Sequence, residues 1–295
     1  MTTSLQPGIT ALGTRSHYYL EFDLIDPAEA HTLVGIAGAG LADARTTVGG
    51  VNVVVGFRRD VWEQATTAPV DLADFEELTG PDGFAMPATQ HDAWVWIAGT
   101  GADVVFDAAR SVVATLGSVA TVATQHAGFA YRDSRDLSGF EDGTENPPLS
   151  EVTETISIPA GEPGAGGSVV LVQRWVHDLG ALERLDLAAQ EDIIGRTKAT
   201  SEELDDDVRP ETSHISRVVI EEDGEELEIF RRSVPYGHVT EHGLMFVAFS
   251  IDQRRLDLML RRMVGLDGPR DAITTWSTPV SGAYYFVPPS EAMGA

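Results

Sequence analysis

The sequence predicts an α+β fold made of two tandem halves, each with the element order β-α-β-β-α-β. Three observations predict it. Short apolar runs of strand length alternate with segments of helical apolar periodicity. That succession occurs twice in the same order, although the two halves share no obvious residue-level repeat. Between them, from about 131 to 166, the chain is rich in Gly, Pro, Asp and Ser.

In the first half, residues 17–24 (HYYLEFDL) read as a strand of aromatic and aliphatic side chains. Asp26-Pro27 then opens a helix, with Asp26 as its cap, Pro27 in the first helical position and Glu29 three residues after the cap. Residues 51–57 (VNVVVGF) form the second strand, and 93–98 (AWVWIA) form the third after a loop of Thr, Pro and Asp. Phe106, Ala109, Val112, Val113 and Leu116 recur at helical spacing and stop at Gly117. A fourth strand runs through 119–130.

In the second half, 168–176 (SVVLVQRWV) read as a strand, followed by a polar-faced helix within 181–194. Residues 215–220 and 227–231 flank Asp223-Gly224 as the arms of a hairpin. Residues 244–250 (LMFVAFS) form another strand. Leu256, Met259, Leu260, Met263 and Val264 make an apolar helical stripe ending at Gly265, and a closing strand sits near 283–287. This element order is the ferredoxin-like arrangement, an antiparallel sheet with helices on one face. The expected division is a ferredoxin-like domain over 1–135, a signature loop and linker over 136–166, and a second ferredoxin-like domain over 167–295. Within the linker, 159–167 (PAGEPGAGG) cannot form regular structure.

Composition narrows the function. The 295 residues are 43% hydrophobic, enough for a substantial core, and no apolar run is long enough to span a bilayer. Residues 1–14 lack the basic region and apolar stretch of a secretion signal, so the expected location is cytoplasmic. There are no cysteines, which excludes disulfides, thiolate metal sites, iron–sulfur clusters and a cysteine nucleophile. Forty-six acids against 20 bases give a net charge of −26, which repels phosphate backbones and argues against nucleic-acid partners. No membrane partner is expected.

The segment from Gly139 to Pro147 (GFEDGTENP) sets carboxylates among glycines and a proline in one turn-forming stretch. On its own it could be an Asp-Gly turn. Eight histidines are present, none in a His-Glu-x-x-His pair. His214 stands out by context, in PETSHI at the entrance to the predicted strand, and Arg231-Arg232 follow on the returning one. Acid, base and imidazole on three elements would also describe an ordinary surface network.

Several segments decide between these readings. GFEDGTENP, the preceding FAYRDSRDLS (129–138), the Ser213-His214 step, RRSVPYG (231–237), MPATQHDAW (86–94) and STPVSGAYYFVPPS (277–290) resemble the dye-decolorizing peroxidases, most closely their compact class B forms. The resemblance runs from about residue 14 to 290. It implies a ferredoxin-like duplication whose C-terminal domain binds one haem b per chain. It implies that Asp142 is the distal aspartate, His214 the proximal iron ligand and Arg231 the distal arginine, with Arg232 its adjacent competitor. Its partners would be hydrogen peroxide and small-molecule reductants, and the chain would form a homo-oligomer. Thr144, Asn146 and Arg196 are candidate contacts for the haem propionates. Relatives often place an aspartate just before the Ser-Thr of the late segment, where this chain has Thr275-Trp276, so a carboxylate partner for His214 is missing there. Ser233 replaces an asparagine found in some class B members. No C-terminal extension for encapsulation is expected.

The chemistry suits these residue types. Neutral imidazole supplies a strong axial ligand, and a carboxylate can shuttle a proton between peroxide oxygens. An arginine beside the carboxylate would hold it ionised and donate to developing negative charge. Aspartate in place of a histidine base sets activity toward acidic pH. Trp62, Trp94, Trp96, Trp175, Trp276 and Tyr284-Tyr285 read chiefly as core, with electron relay as the alternative. Two other function classes remain at this point. A haem-storage or iron-release protein would need His214 but not the acid–arginine pair, and a haem-free binding module would need none of them.

Overall fold

The computed structural model describes residues 4–40 and 50–294. In the N-terminal half, strands β1 (Ser16–Leu24), β2 (Val51–Phe57), β3 (Ala93–Gly99) and β4 (Ala120–Phe129) lie in the order β4-β1-β3-β2. In the C-terminal half, β5 (Ser168–His177), β6 (Val234–Gly237), β7 (His242–Ser250) and β8 (Ala283–Val287) lie in the order β8-β5-β7-β6. Each half is therefore fourth-first-third-second, antiparallel throughout, as the predicted element order requires.

The two sheets also close on each other. β6 meets β4 at Tyr236 and Gly128, and β8 meets β2 at Phe286 and Phe57, so these strands form a barrel. Closure removes the exposed strand edges that two separate sheets would leave. Gly128 makes one seam possible: a Cβ there would lie 2.7 Å from a Val234 methyl and 3.1 Å from the Tyr19 ring.

Side chains alternate across the barrel wall with period two. Tyr19, Trp94, Trp96, Val172, Val247 and Tyr285 belong to the inner core. Leu20, Phe22, Val95, Ile97, Leu171 and Phe286 belong to the outer one, against the helices.

Helix α1 (Ala30–Gly40) begins as the sequence indicates, with the Asp26 carboxylate accepting from the Ala28 N–H at 2.9 Å and Pro27 opening a short 3-10 turn. Helix α2 (Ala102–Leu116) buries Val105, Ala109, Val112 and Leu116, while Phe106 and Val113 face solvent. In the second half, the helix read within 181–194 divides into a turn at Leu179–Glu183 and α3 (Leu187–Ile194), because Asp186 caps a new helix at the Ala189 N–H.

One element differs in kind. Residues 215–220, read as a strand, begin in α4 (His214–Val218). Ser213 caps that helix through the Ser216 N–H, and this outweighs the β-branched residues that suggested a strand. The hairpin shrinks to Glu221–Glu222 against Glu225–Glu226, around Asp223-Gly224 at positive φ. Its return arm reaches the sheet at Phe230–Arg231, paired with β7. Helix α5 (Gln253–Met263), capped by Asp252, buries Leu256, Met259, Leu260 and Met263. Among the described residues no helix is long and apolar enough to cross a membrane.

Candidate active site

On the outer face of the C-terminal half, between β5, β7 and α5, the chain leaves a cavity. Its walls are chiefly apolar: Phe140, Trp175, Leu244, Phe246, Met259 and Met263 contribute to it. Polar residues also line it, among them the ionisable Asp136, Glu141, Asp142, His177, His214 and Arg231. Three of the predicted residues, Asp142, His214 and Arg231, are thus brought to one cavity.

His214 is the first residue of α4. Its Nδ1 lies 2.7 Å from Oδ2 of Asp271, whose side chain is wholly buried. A carboxylate can only accept, so Nδ1 carries the proton and Nε2 remains the ring's free nitrogen. Asp271 is held in turn by the Ile273 N–H at 2.9 Å, as cap of the 3-10 turn Ala272–Thr275. The carboxylate partner that the late segment lacks at Thr275-Trp276 is therefore supplied four residues earlier. Its signal in the sequence was that of an ordinary cap, Asp before a short helical turn.

The signature segment projects its acid through a tight turn. Gly139 and Gly143 both adopt positive φ, and the Asp142 N–H is tied to the Ser134 carbonyl at 3.0 Å. Burial pushes the Asp142 carboxyl up to about 6, although the positive charge of Arg231 works in the opposite direction. This corrects the expectation that the arginine would hold the acid at low pKa. Among the described residues no ion pair joins the two side chains, so desolvation prevails over attraction.

Arg231 and Arg232 separate cleanly. The Asn146 side chain grips the Arg231 backbone, accepting its N–H at 2.8 Å and donating to its carbonyl at 2.9 Å. The half-buried Arg231 side chain faces the cavity, with its buried Nε unpartnered among the described residues. Arg232 turns into the barrel, donates to the carbonyls of Ile9 and Ala11, and lies over the Trp96 ring at 5.0 Å. A second pocket, lined by His17, Asn146 and Arg232 among others, shares Asp142 and Arg231 with the cavity.

The other predicted contacts fall elsewhere. Arg196 is engaged by Glu145 and Glu203, and neither it nor Thr144 nor Asn146 lines the main cavity. Asn146 acts on the backbone of Arg231 instead. Ser233 accepts from the Val247 N–H at 3.3 Å. One group escaped the sequence reading. His177 bonds Ser277 at 2.8 Å through Nδ1 and Asp136 at 3.2 Å through Nε2, and Trp276 packs edge-on against its ring. Burial alone would raise the Asp136 carboxyl, but the His177 hydrogen bond and charge bring it below its ordinary value.

Comparisons with known proteins agree with this fold. Residues 6–130 match the family described as Dyp-type peroxidase, N-terminal, and residues 133–292 match Dyp-type peroxidase, C-terminal. A dye-decolorizing peroxidase of Rhodococcus erythropolis (strain PR4 / NBRC 100887) is 35% identical over 97% of this chain and 87% of its own. One from Mycobacterium tuberculosis (strain ATCC 25618 / H37Rv) is 38% identical over 81% of this chain and 73% of its own. Among solved structures, a dye-decolorizing protein from V. cholerae superposes with a TM-score of 0.89, at 34% identity, with 98% of each chain covered. A variant of Rhodococcus jostii RHA1 DypB in complex with heme gives 0.89 at 32% identity, covering 97% of this chain and 98% of its own.

Proposed function

The chain belongs to the Dyp-type peroxidase family, and from that premise we propose how its own residues serve the reaction. It is a haem peroxidase, reducing hydrogen peroxide while oxidising dyes, phenolics or similar one-electron donors. The residues present suit the cofactor. The cavity walls are mostly apolar, as a macrocycle requires, and two buried donor atoms from residues lining it, Arg231 Nε and Trp276 Nε1, have no acceptor among the described residues. When bound, haem supplies an iron centre that cleaves the peroxide O–O bond and then accepts electrons one at a time.

In this reading His214 Nε2 would hold the haem iron, and the Asp271 carboxylate orients the ring and raises its basicity by accepting the Nδ1 proton. Asp142 takes a proton from one peroxide oxygen and returns it to the other, so that the departing oxygen leaves as water. Arg231 donates to the negative charge that develops on that oxygen. The observation that carries the assignment is the convergence of Asp142, Arg231 and His214 on one buried cavity. A haem-storage protein would need only His214, so the acid–guanidinium pair favours turnover.

We propose a cytoplasmic homo-oligomer, with neither nucleic acid nor membrane as partner. A cysteine-free chain of net charge −26 suits a reducing compartment and repels phosphate surfaces.

Stopped-flow mixing of the haem-loaded protein with peroxide, followed at the Soret band, tests the roles. Asp142→Asn should slow the peroxide step by about 10²–10⁴-fold, and Arg231→Leu by about 10²–10³-fold. Because the ionised acid is the working form and its pKa is pushed up to about 6, the wild-type rate should climb with pH and level off above that value. This places the favourable range of that step higher than aspartate alone suggests. Asp142→Asn should flatten the profile. Unchanged rates in both variants would refute these roles.

A further inference from the structure

We propose that the barrel interior holds a second redox site, a column of stacked rings ending in a Tyr285–Glu21 pair that stores an oxidising equivalent as a tyrosyl radical shielded from solvent. The proposal rests on the peroxidase reading of the neighbouring cavity, which supplies the oxidant.

The column starts where the pocket containing Asp142 and Arg231 is lined by His17 and Arg232. His17 and Trp96 lie nearly parallel with centroids 5.9 Å apart, and Trp96 stacks on Trp94 at 6.3 Å. Trp94 stacks on Tyr285 at 6.3 Å, with the planes 13° apart. Trp94, Trp96 and Tyr285 are inaccessible to solvent. A reductant therefore cannot touch them, and an equivalent that reaches the far end is withheld from substrates.

Proton acceptors decide where it rests. A phenol gives up an electron readily only when its proton can leave at the same time. Tyr19, beside the column, has a buried hydroxyl with no partner among the described residues, so it lacks an acceptor for that proton. The Tyr285 hydroxyl donates to Glu21 Oε1 at 2.6 Å, and Thr124 donates to the other carboxylate oxygen at 2.8 Å. Burial pushes the Glu21 carboxyl up, making it a better acceptor. Charge sets the direction. The Arg232 cation over Trp96 disfavours a positive hole at the near end, whereas the Glu21 anion favours it at the far end.

The step balances. Tyr285 loses one electron, which passes through Trp94 and Trp96 to haem oxidised by peroxide, reducing it by one equivalent. The phenolic proton moves to Glu21 Oε1, leaving a neutral phenoxyl radical and a protonated acid. One electron returning through Trp96 and Trp94 reverses both.

The test mixes haem-loaded protein with one equivalent of peroxide, without reductant, and freezes it for electron paramagnetic resonance. Wild type should give a neutral tyrosyl signal, retained in Tyr19→Phe and lost in Tyr285→Phe. Glu21→Gln, which keeps a hydrogen-bond acceptor but removes the base, should also lose it. Thermal unfolding of each variant checks that the barrel remains packed. A wild type whose Soret band responds to peroxide without a tyrosyl signal overturns the relay, as does a signal that survives in Tyr285→Phe. A Soret band indifferent to peroxide would instead overturn the peroxidase reading beneath it.

Discussion

The two halves share one strand order, yet among the described residues the cavity lined by Asp142, Arg231 and His214 lies in the second. In the N-terminal half, Leu20, Phe22, Val95 and Ile97 on the outer sheet face belong to one buried core with Leu33 and Val34 of α1 and Val105, Ala109 and Val112 of α2. In the C-terminal half the corresponding sheet face presents Gln173, Trp175, Leu244 and Phe246 to the cavity, with Met259, Leu260 and Met263 of α5 beyond it. The first crossover explains the difference. Where the described part of the N-terminal crossover forms α1, the C-terminal half spends Asp178 to Ser233 on short helices and loops, and α3 and α4 contribute Ile194, His214 and Val218 to the cavity rim. The same topology thus yields a filled layer or a binding site, according to whether the crossover covers the sheet.

The largest expected effect is on the cavity's anchor. His214→Ala should abolish stoichiometric haem retention, read as loss of the Soret band against protein absorbance. The closed sheet should keep its circular dichroism, because the N-terminal layer does not depend on the cofactor. Retention of haem at wild-type stoichiometry would break the contrast. Next comes a matched pair of truncations. Phe22→Ala opens a hole in the filled layer and should cost about 3–5 kcal/mol in denaturant unfolding of the apoprotein. Phe246→Ala removes a ring that already borders open space, so its cost in the apoprotein should be smaller, and it should weaken haem binding instead. Equal costs would mean that the two layers are equally packed.

What the sequence disclosed follows the range of the interactions. The strands at 51–57 and 283–287 match the structure residue for residue, since a short run of β-branched and aromatic residues is a local signal. Barrel closure was not legible, because each seam rests on one pairing of distant residues and, at one of them, on a glycine that admits the neighbouring strand. The 215–220 segment misled because its β-branched residues spoke louder than one serine cap. Asp142, His214 and Arg231 were recoverable from motif resemblance, and Arg231 could be told from Arg232 only once the backbone grip of Asn146 fixed which side chain faces the cavity. The ionisation of Asp142 was misjudged because a sequence names charged neighbours but not the desolvation that opposes them.

Asp271 sharpens the contrast most finely, because it performs a structural and a chemical task with different oxygens. Oδ1 caps the turn at Ile273, as an aspartate would in either half, while Oδ2 polarises His214, a task that exists only in the C-terminal half. Asn is also a good cap, so Asp271→Asn should retain the turn and remove only the negative charge behind the imidazole. Haem affinity should fall by about 10–100-fold, measured by haem transfer to an excess of apoglobin, with little change in the unfolding of the apoprotein. Asp271→Ala removes both tasks and should add about 1 kcal/mol of lost folding stability. An Asn variant that holds haem as tightly as wild type would show that the partner merely orients the ring. One that loses affinity without losing stability would show that the carboxylate's charge strengthens the proposed hold of His214 on the iron.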